Sequence, residues 1–554
     1  MCSLEDLDFD NTILKNLPID RVKENYVRRK NPNVCFSRVN PAPVSNPKLL
    51  IYSDALQLLD LNLKEVDRPE FTEYFSGNKI LPGSEPAAHC YCGHQFGIFA
   101  GQLGDGRAIY LGEIINHKKE RWELQLKGSG QTPYSRDGDG RAVLRSSIRE
   151  FLCSEAMFHL GIPTTRAGTI ILSDTNVIRD IKYDGNKIKE KATIVSRLAP
   201  TFIRFGSFQI ADKKGPSEGN IKIIRQLTKY VIEYHYPDIF KKYYTPNECV
   251  IAFAEELMIK TAKLIALWQS VGFAHGVLNT NNMSIIGLTI DYGPFGFLDA
   301  YDPNFICNGS DFEGRYKFNN QPQIGKWNLQ RLFDSLGMAF PEIGYKLNKI
   351  IQRYSEEYSE AYIHKMRKKL GLFKELPDDN DLVKLLLTTM EETSGDYTNI
   401  FRSLSRIRCK NYDREPILNY ILHQLIPLKT LLAQNKSQSN IYKKIKDLTK
   451  ETKLIRDEKL WTSWIKLYKA RLEKEEVDDT VRINMMNYNN PKYILRNYLA
   501  QIAIEKAEQG DPTELNRLYQ VLKDPYDDKR MFDDFLYDEL PPEWAVELCI
   551  TCSS

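Results

Sequence analysis

The sequence predicts an α+β protein in two lobes, on three observations. Glycines and short alternating segments crowd between about 85 and 200. From about 220 onward apolar residues recur at helical spacing. A Gly/Asn/Asp-rich segment at 272–302 interrupts that helical body. Strands with one helix, followed by a helical body holding a short loop, describe a two-lobed α+β arrangement. The 554 residues suffice for several domains, and 42% hydrophobic with 27% charged residues is ordinary for a soluble globular protein. Lys+Arg 76 against Asp+Glu 73 leaves a net charge of +3, so no overall basic field favours nucleic-acid binding. The most apolar stretch, 251–277, is cut by Glu255, Glu256, Lys260 and Lys263, so membrane insertion is not expected. The acidic start, MCSLEDLDFDN, lacks a secretion core or Arg-rich presequence, and a cytoplasmic location is the expectation.

In chain order, Pro41, Pro43 and Pro47 punctuate an extended N-terminal stretch. Residues 107–114 and 121–127 alternate and are separated by Asn116-His117-Lys118, which reads as a hairpin. A helix is expected from about Val143 to Leu160, with an apolar stripe of Ile148, Phe151, Leu152, Ala156 and Leu160 stopped by Gly161 and Pro163. Residues 326–530 read as helices separated by polar loops, such as those beginning at Leu376 and Gln434.

Three clusters carry chemistry. The first is the glycine-rich run Gly97 to Arg107, where Gly104 and Gly106 let backbone N–H groups approach a phosphate and Arg107 adds a bidentate donor. The second is Lys127, on the strand face shared with Glu123 and Gln125, followed by Glu150 off the stripe of the next helix. A strand lysine after a glycine-rich loop, paired with a helix glutamate, is how protein kinases hold ATP phosphates. The Gly/Asp-rich loop between them, through Asp139 and Gly140, reads as nucleotide-contacting. Arg197 and Arg204 are cationic enough to converge on a polyphosphate, although surface salt bridges are the commoner fate of such a pair. The third cluster runs from His275 to Gly293. There Met283–Ile286 and Leu288–Ile290 read as a hairpin about Gly287, with Asn282 and Asp291 at adjacent ends. An amide oxygen and a carboxylate there suit a hard divalent cation such as Mg²⁺.

These motifs resemble the selenoprotein O family. The likeness rests on Gly93-His-Gln-Phe-Gly97, on 101–108, 126–136 and 139–145, on His275 to Thr280 and Thr289 to Asp299, on Trp327-Asn-Leu, and on Asn490 to Tyr498. It implies a protein-kinase-like fold, once considered a pseudokinase. It also implies ATP bound in reversed orientation, and AMP transfer to Ser, Thr or Tyr hydroxyls of proteins. By position, Gly104, Gly106, Arg107, Lys127, Asp139, Gly140, Arg197, Arg204 and Asp291 match the family's nucleotide contacts. Glu150 matches its helix glutamate, and Asn282 and Asp291 match its ligands for Mg²⁺, with Mn²⁺ as an alternative. The family's proton-acceptor aspartate is replaced by Asn281, which cannot take a hydroxyl proton. That substitution supports a competing reading, a weakly active or inactive nucleotide-binding pseudoenzyme. Physics alone fits phosphorylation as well as AMP transfer; the choice comes from the resemblance.

With the resemblance, the expected division is an N-terminal extension on the kinase-like core (1–84), a nucleotide-binding lobe (85–205), a helical part with the metal site (206–335) and a helical C-terminal region (336–554). A monomer is expected, and the family's eukaryotic members are often mitochondrial. The ten cysteines are too sparse for a disulfide framework. Cys549-Ile-Thr-Cys552 reads as a redox pair, Cys552 standing where some family members carry selenocysteine.

Overall fold

The computed structural model describes residues 1–22, 24–181, 184–408, 417–433, 445–528, 537–548 and 550–551. The redox reading of Cys549 and Cys552, and the loop beginning at Gln434, lie outside these residues.

The architecture is α+β. Among the described residues one large sheet is built from β1 (Ile19–Asp20), β2 (Phe36–Arg38), β3 (Lys48–Tyr52), β4 (Ala87–His89), β7 (Ala108–Ile115), β8 (Arg121–Lys127), β9 (Ala142–Val143), β10 (Arg166–Asp180) and β11 (Lys187–Ala199). Its order is β1-β2-β4-β7-β8-β11-β10-β3, with β9 pairing β11. Three strands therefore come from the first 84 residues. β7 and β8 form the hairpin that alternation predicts. β5 (Cys92–Gln95) and β6 (Ile98–Gln102) form a separate two-stranded sheet.

The helix Leu144–His159 lies on the sheet and stops at Leu160 and Gly161, whose φ of 76° is the left-handed close that glycine adopts freely. Its predicted stripe is buried, but so is most of the rest of the helix, Glu150 included. The helices Asn497–Glu508 and Thr513–Leu522 pack against it, with Tyr519 on Phe151 and Asn497 on Arg149.

The helical body centres on Pro246–Ser270, started by a capping box of Thr245 with Glu248 and by Pro246 in the first turn. It packs on Gln321–Ala339 and Gly344–Lys369. One continuous apolar core runs from Leu4 through the sheet and these helices to Tyr537. A second core joins the helices of 366–486 around Trp461, Trp464 and Tyr397. Between Ser270 and Gln321 the chain is mostly irregular. The expected hairpin at 283–290 is absent: Ser284 bridges to Arg204 and Thr289 to Thr164. Gly287 does turn the chain, but each flank finds its backbone partner in the other lobe instead of in its neighbour.

Candidate functional site

The site forms where β8, β11 and the helix Leu144–His159 face the irregular segment. Register supplies the first contacts: Lys127 lies opposite Val195, and Gln125 opposite Arg197, so both basic residues project from one sheet face. Lys127 Nζ meets Glu150 Oε2 at 2.6 Å. Arg197 Nη1 donates to Glu150 Oε1 at 3.1 Å and to Asp291 Oδ1. Arg204 Nη1 donates to Asp291 Oδ2 at 2.7 Å and to the Asn281 carbonyl at 2.9 Å, and so spans the two halves of the irregular segment. Lys127 Nζ stands 4.0 Å from Asp291 Oδ1.

Three cations thus converge on one aspartate. Burial alone pushes the Asp291 carboxyl up, but Arg204, Arg197 and Lys127 outweigh it and hold the group well below the ordinary carboxylate range. Burial lowers Lys127 despite Glu150 beside it. Asp291 also has φ of 62°, a left-handed conformation uncommon outside glycine, which costs about 1–2 kcal/mol and marks a side chain aimed by its surroundings. The two arginines, which as a bare pair favour surface salt bridges, are both buried.

The glycine-rich run has a structural reason of its own. A Cβ on Gly104 would stand 2.5 Å from Tyr134 Cγ, and one on Gly106 2.9 Å from the Tyr134 carbonyl. The loop 128–141 packs Thr132, Tyr134 and Ser135 onto these glycines, with Thr132 Oγ1 donating to the Asp105 carbonyl at 2.6 Å. Arg107 is exposed beside it. Gly140 crosses Gly130 so closely that a Cβ would lie 2.1 Å from its carbonyl carbon. The Asp139 carboxylate accepts from Arg179 Nη1 and Nη2, at 2.7 and 2.8 Å, and from Arg141 N at 2.9 Å, away from the buried cluster.

The segment 279–282 is gripped by β5 and its turn. Thr280 Oγ1 accepts from His94 N at 2.7 Å and donates to Gln209 Oε1 at 2.6 Å. Asn279 Oδ1 accepts from the Tyr316 hydroxyl and from Phe96 N at 3.3 Å. Asn281 Nδ2 donates to Asn282 Oδ1 at 3.0 Å, while Asn281 Oδ1 is buried with no hydrogen-bond partner.

The two expected metal ligands both present oxygen: the Asn282 amide oxygen accepts from Asn281, and the partly exposed Asp291 carboxylate accepts from Arg197 and Arg204. No group of three or more His, Cys, Asp or Glu able to hold a metal exists among the described residues. One amide oxygen and one carboxylate are chemically suited to a hard cation that takes its remaining ligands from phosphate and water.

Sequence reasoning missed Asp105, His94, Gln209, Thr280 and Tyr316. Asp105 lies between two glycines already suspected, and His94 and Thr280 lie inside motifs that carry the resemblance. The others meet the site through tertiary contacts.

Fold and site together define a kinase-like arrangement: a glycine-rich run, a strand lysine paired with a helix glutamate, and an aspartate among cations. The chain belongs to the family described as Protein adenylyltransferase SelO, whose model matches residues 22–523. It is 45% identical to the mouse (Mus musculus) protein adenylyltransferase SelO, mitochondrial, covering 100% of this chain and 93% of the relative. Identity to the zebrafish (Danio rerio) SelO-1, mitochondrial, is 43%, over 100% and 94%. To the protein nucleotidyltransferase YdiU of Flavobacterium johnsoniae it is 41%, over the whole of both chains.

Proposed function

We propose that this chain transfers AMP from ATP to Ser, Thr or Tyr hydroxyls of protein substrates. The observation that carries this reading is the convergence of Lys127, Arg197 and Arg204 on Asp291 beside the glycine-rich run, in a member of the adenylyltransferase family. A hydroxyl oxygen attacks the α-phosphorus, the α–β anhydride bond breaks, diphosphate leaves, and the hydroxyl proton passes to a phosphate oxygen or to solvent water. Lys127, oriented by Glu150, and the two arginines neutralise the charge that builds on the phosphates. Gly104, Gly106, Arg107, Asp139 and Gly140 complete the nucleotide site. Asn282 and Asp291 would hold Mg²⁺, or Mn²⁺, which when bound supplies charge neutralisation at the phosphates. Asn281 Oδ1 accepts a hydrogen bond from the incoming hydroxyl and orients it, but an amide does not keep the proton.

The division at 84, 205 and 335 and the monomeric state belong to the same reading. The names of the vertebrate relatives support the mitochondrial alternative over the cytoplasmic expectation. No described helix is long and apolar enough to cross a membrane.

The test is incubation with a protein substrate and ATP labelled at the α- or the γ-phosphate. α-Label retained on protein is the expected result. γ-Label on protein indicates phosphorylation, and nucleotide binding with neither label transferred indicates the pseudoenzyme.

A further inference from the structure

Asp105 and Gln125 hold none of the roles assigned above, yet both are buried against the arginines that do. Gln125 sits on β8 directly opposite Arg197 on β11, and its Oε1 accepts from Arg197 Nε at 3.0 Å and also from Nη2. Its Nε2 donates to Asp105 Oδ2 at 3.0 Å. A side-chain amide has one accepting end and one donating end, so the Asp105 carboxylate decides which end Gln125 presents to Arg197. The other Asp105 oxygen lies 3.7 Å from Arg204 Nη2, an atom with no hydrogen-bond partner of its own. Gln125 is 1% exposed and Asp105 4%, so water does not substitute for either contact.

The division of the guanidinium is informative. Gln125 takes the Nε and Nη2 edge of Arg197, leaving Nη1 to face Glu150 and Asp291. Asp105 is also part of the glycine-rich run between β6 and β7, where its backbone N donates to the His89 carbonyl at 2.9 Å.

We propose that Asp105 and Gln125 are positioning residues that brace Arg197 and Arg204 from behind, aim their Asp291-facing Nη1 groups at the phosphates of ATP, and tie that aim to the conformation of the glycine-rich run. This inference rests on the proposed nucleotide site. The brace keeps one edge of Arg197 engaged while the other exchanges Asp291 for phosphate.

The full-length chain is tested with four variants, reading the Kd for ATP, KM and kcat of AMP transfer, and thermal midpoint. Gln125→Met keeps the size and removes all three hydrogen bonds. Gln125→Glu sets a carboxylate against Asp105 with no proton donor between them, and Asp105→Asn removes the charge near Arg204. The double variant Asp105→Asn with Gln125→Glu restores the contact with reversed polarity, the introduced amide at 105 donating and the introduced carboxylate at 125 accepting, and keeps one negative charge. Each single variant is expected to raise Kd and KM for ATP by about tenfold, the effect of losing a hydrogen bond to a charged group, with a smaller change in kcat. The double variant should return to within about threefold of the parent, a coupling that independent sites do not show. Unchanged ATP affinity in Gln125→Met, or a double variant no better than the worse single, overturns the brace. Absence of α-label transfer by the parent chain refutes the proposed reaction instead, and the Kd comparison still decides the brace.

Discussion

At position 281 a single atom type separates this chain from the proton-accepting residue that its family pattern implies. Asn281 keeps the place, with its Oδ1 buried and unpartnered, but loses the basicity. General bases contribute roughly 10²–10⁴-fold, whereas nucleotidyl transfer leans mostly on positioning and charge, so part of that range is recoverable. Asn281→Asp is expected to speed labelled-AMP incorporation by about tenfold or more. Equal rates would show that position 281 does not limit the reaction. A second residue, Glu123, shares the strand face of Lys127 and faces Glu113 across the hairpin. Burial first, and Glu113 next, raise its carboxyl from 4.5 to about 8. A raised folded value means that its contribution to stability is full below about pH 4.5 and is lost as pH climbs to about 8. Glu123→Gln should therefore match the parent's melting temperature at pH 5 and exceed it increasingly toward pH 8. A constant offset across that range would show that Glu123 does not titrate there.

At the scale of elements, β5 and the segment 279–282 act as one piece. Gly93 is the contact point: a Cβ there would stand 2.8 Å from Asn281 Oδ1 and 3.2 Å from Thr280 Oγ1. The backbone at Gly93 is one that alanine adopts, so Gly93→Ala strains only this contact. It should lower AMP transfer by roughly 10–10²-fold, as small misplacements of reacting groups do, while ATP affinity stays within about twofold. Loss of ATP binding of the same size would mean that β5 supports the nucleotide and not the acceptor hydroxyl. The element scale also shows where sequence reading succeeds. The β7–β8 hairpin and the helix Leu144–His159 were legible because alternation, a turn and a terminating glycine are local. The hairpin about Gly287 was not, because Ser284 and Thr289 pair with Arg204 and Thr164, 80 and 125 residues away (284 − 204 and 289 − 164).

Across the whole molecule, the C-terminal helices are bolted to the site. Arg496 is 1% exposed and reaches Asp299, just past the short strand Gly296–Phe297, at 2.7 Å and Asp396 at 2.7 and 3.0 Å. Arg149, from the helix that carries Glu150, meets Asn497 Oδ1 at 3.2 Å and the Phe295 carbonyl at 2.8 Å. Removing one member of a buried ion pair strands the other, so Arg496→Met should destabilise the chain by about 3–5 kcal/mol in chemical denaturation. An unchanged midpoint would show that the network contributes nothing to the docking of these helices.

The sequence by itself determined the α+β class, the β7–β8 hairpin, the helix that carries Glu150, and the identity of the residues that meet at Asp291. Periodicity, turn chemistry and motif order are written along the chain. Tertiary structure alone decided that Arg197 and Arg204 are buried and clasp Asp291, that the first 84 residues add strands to the sheet, and that Gln125 and Asp105 stand behind the arginines. Those facts depend on strand register and on which surfaces cover one another, quantities set by contacts between residues far apart, which no local pattern encodes.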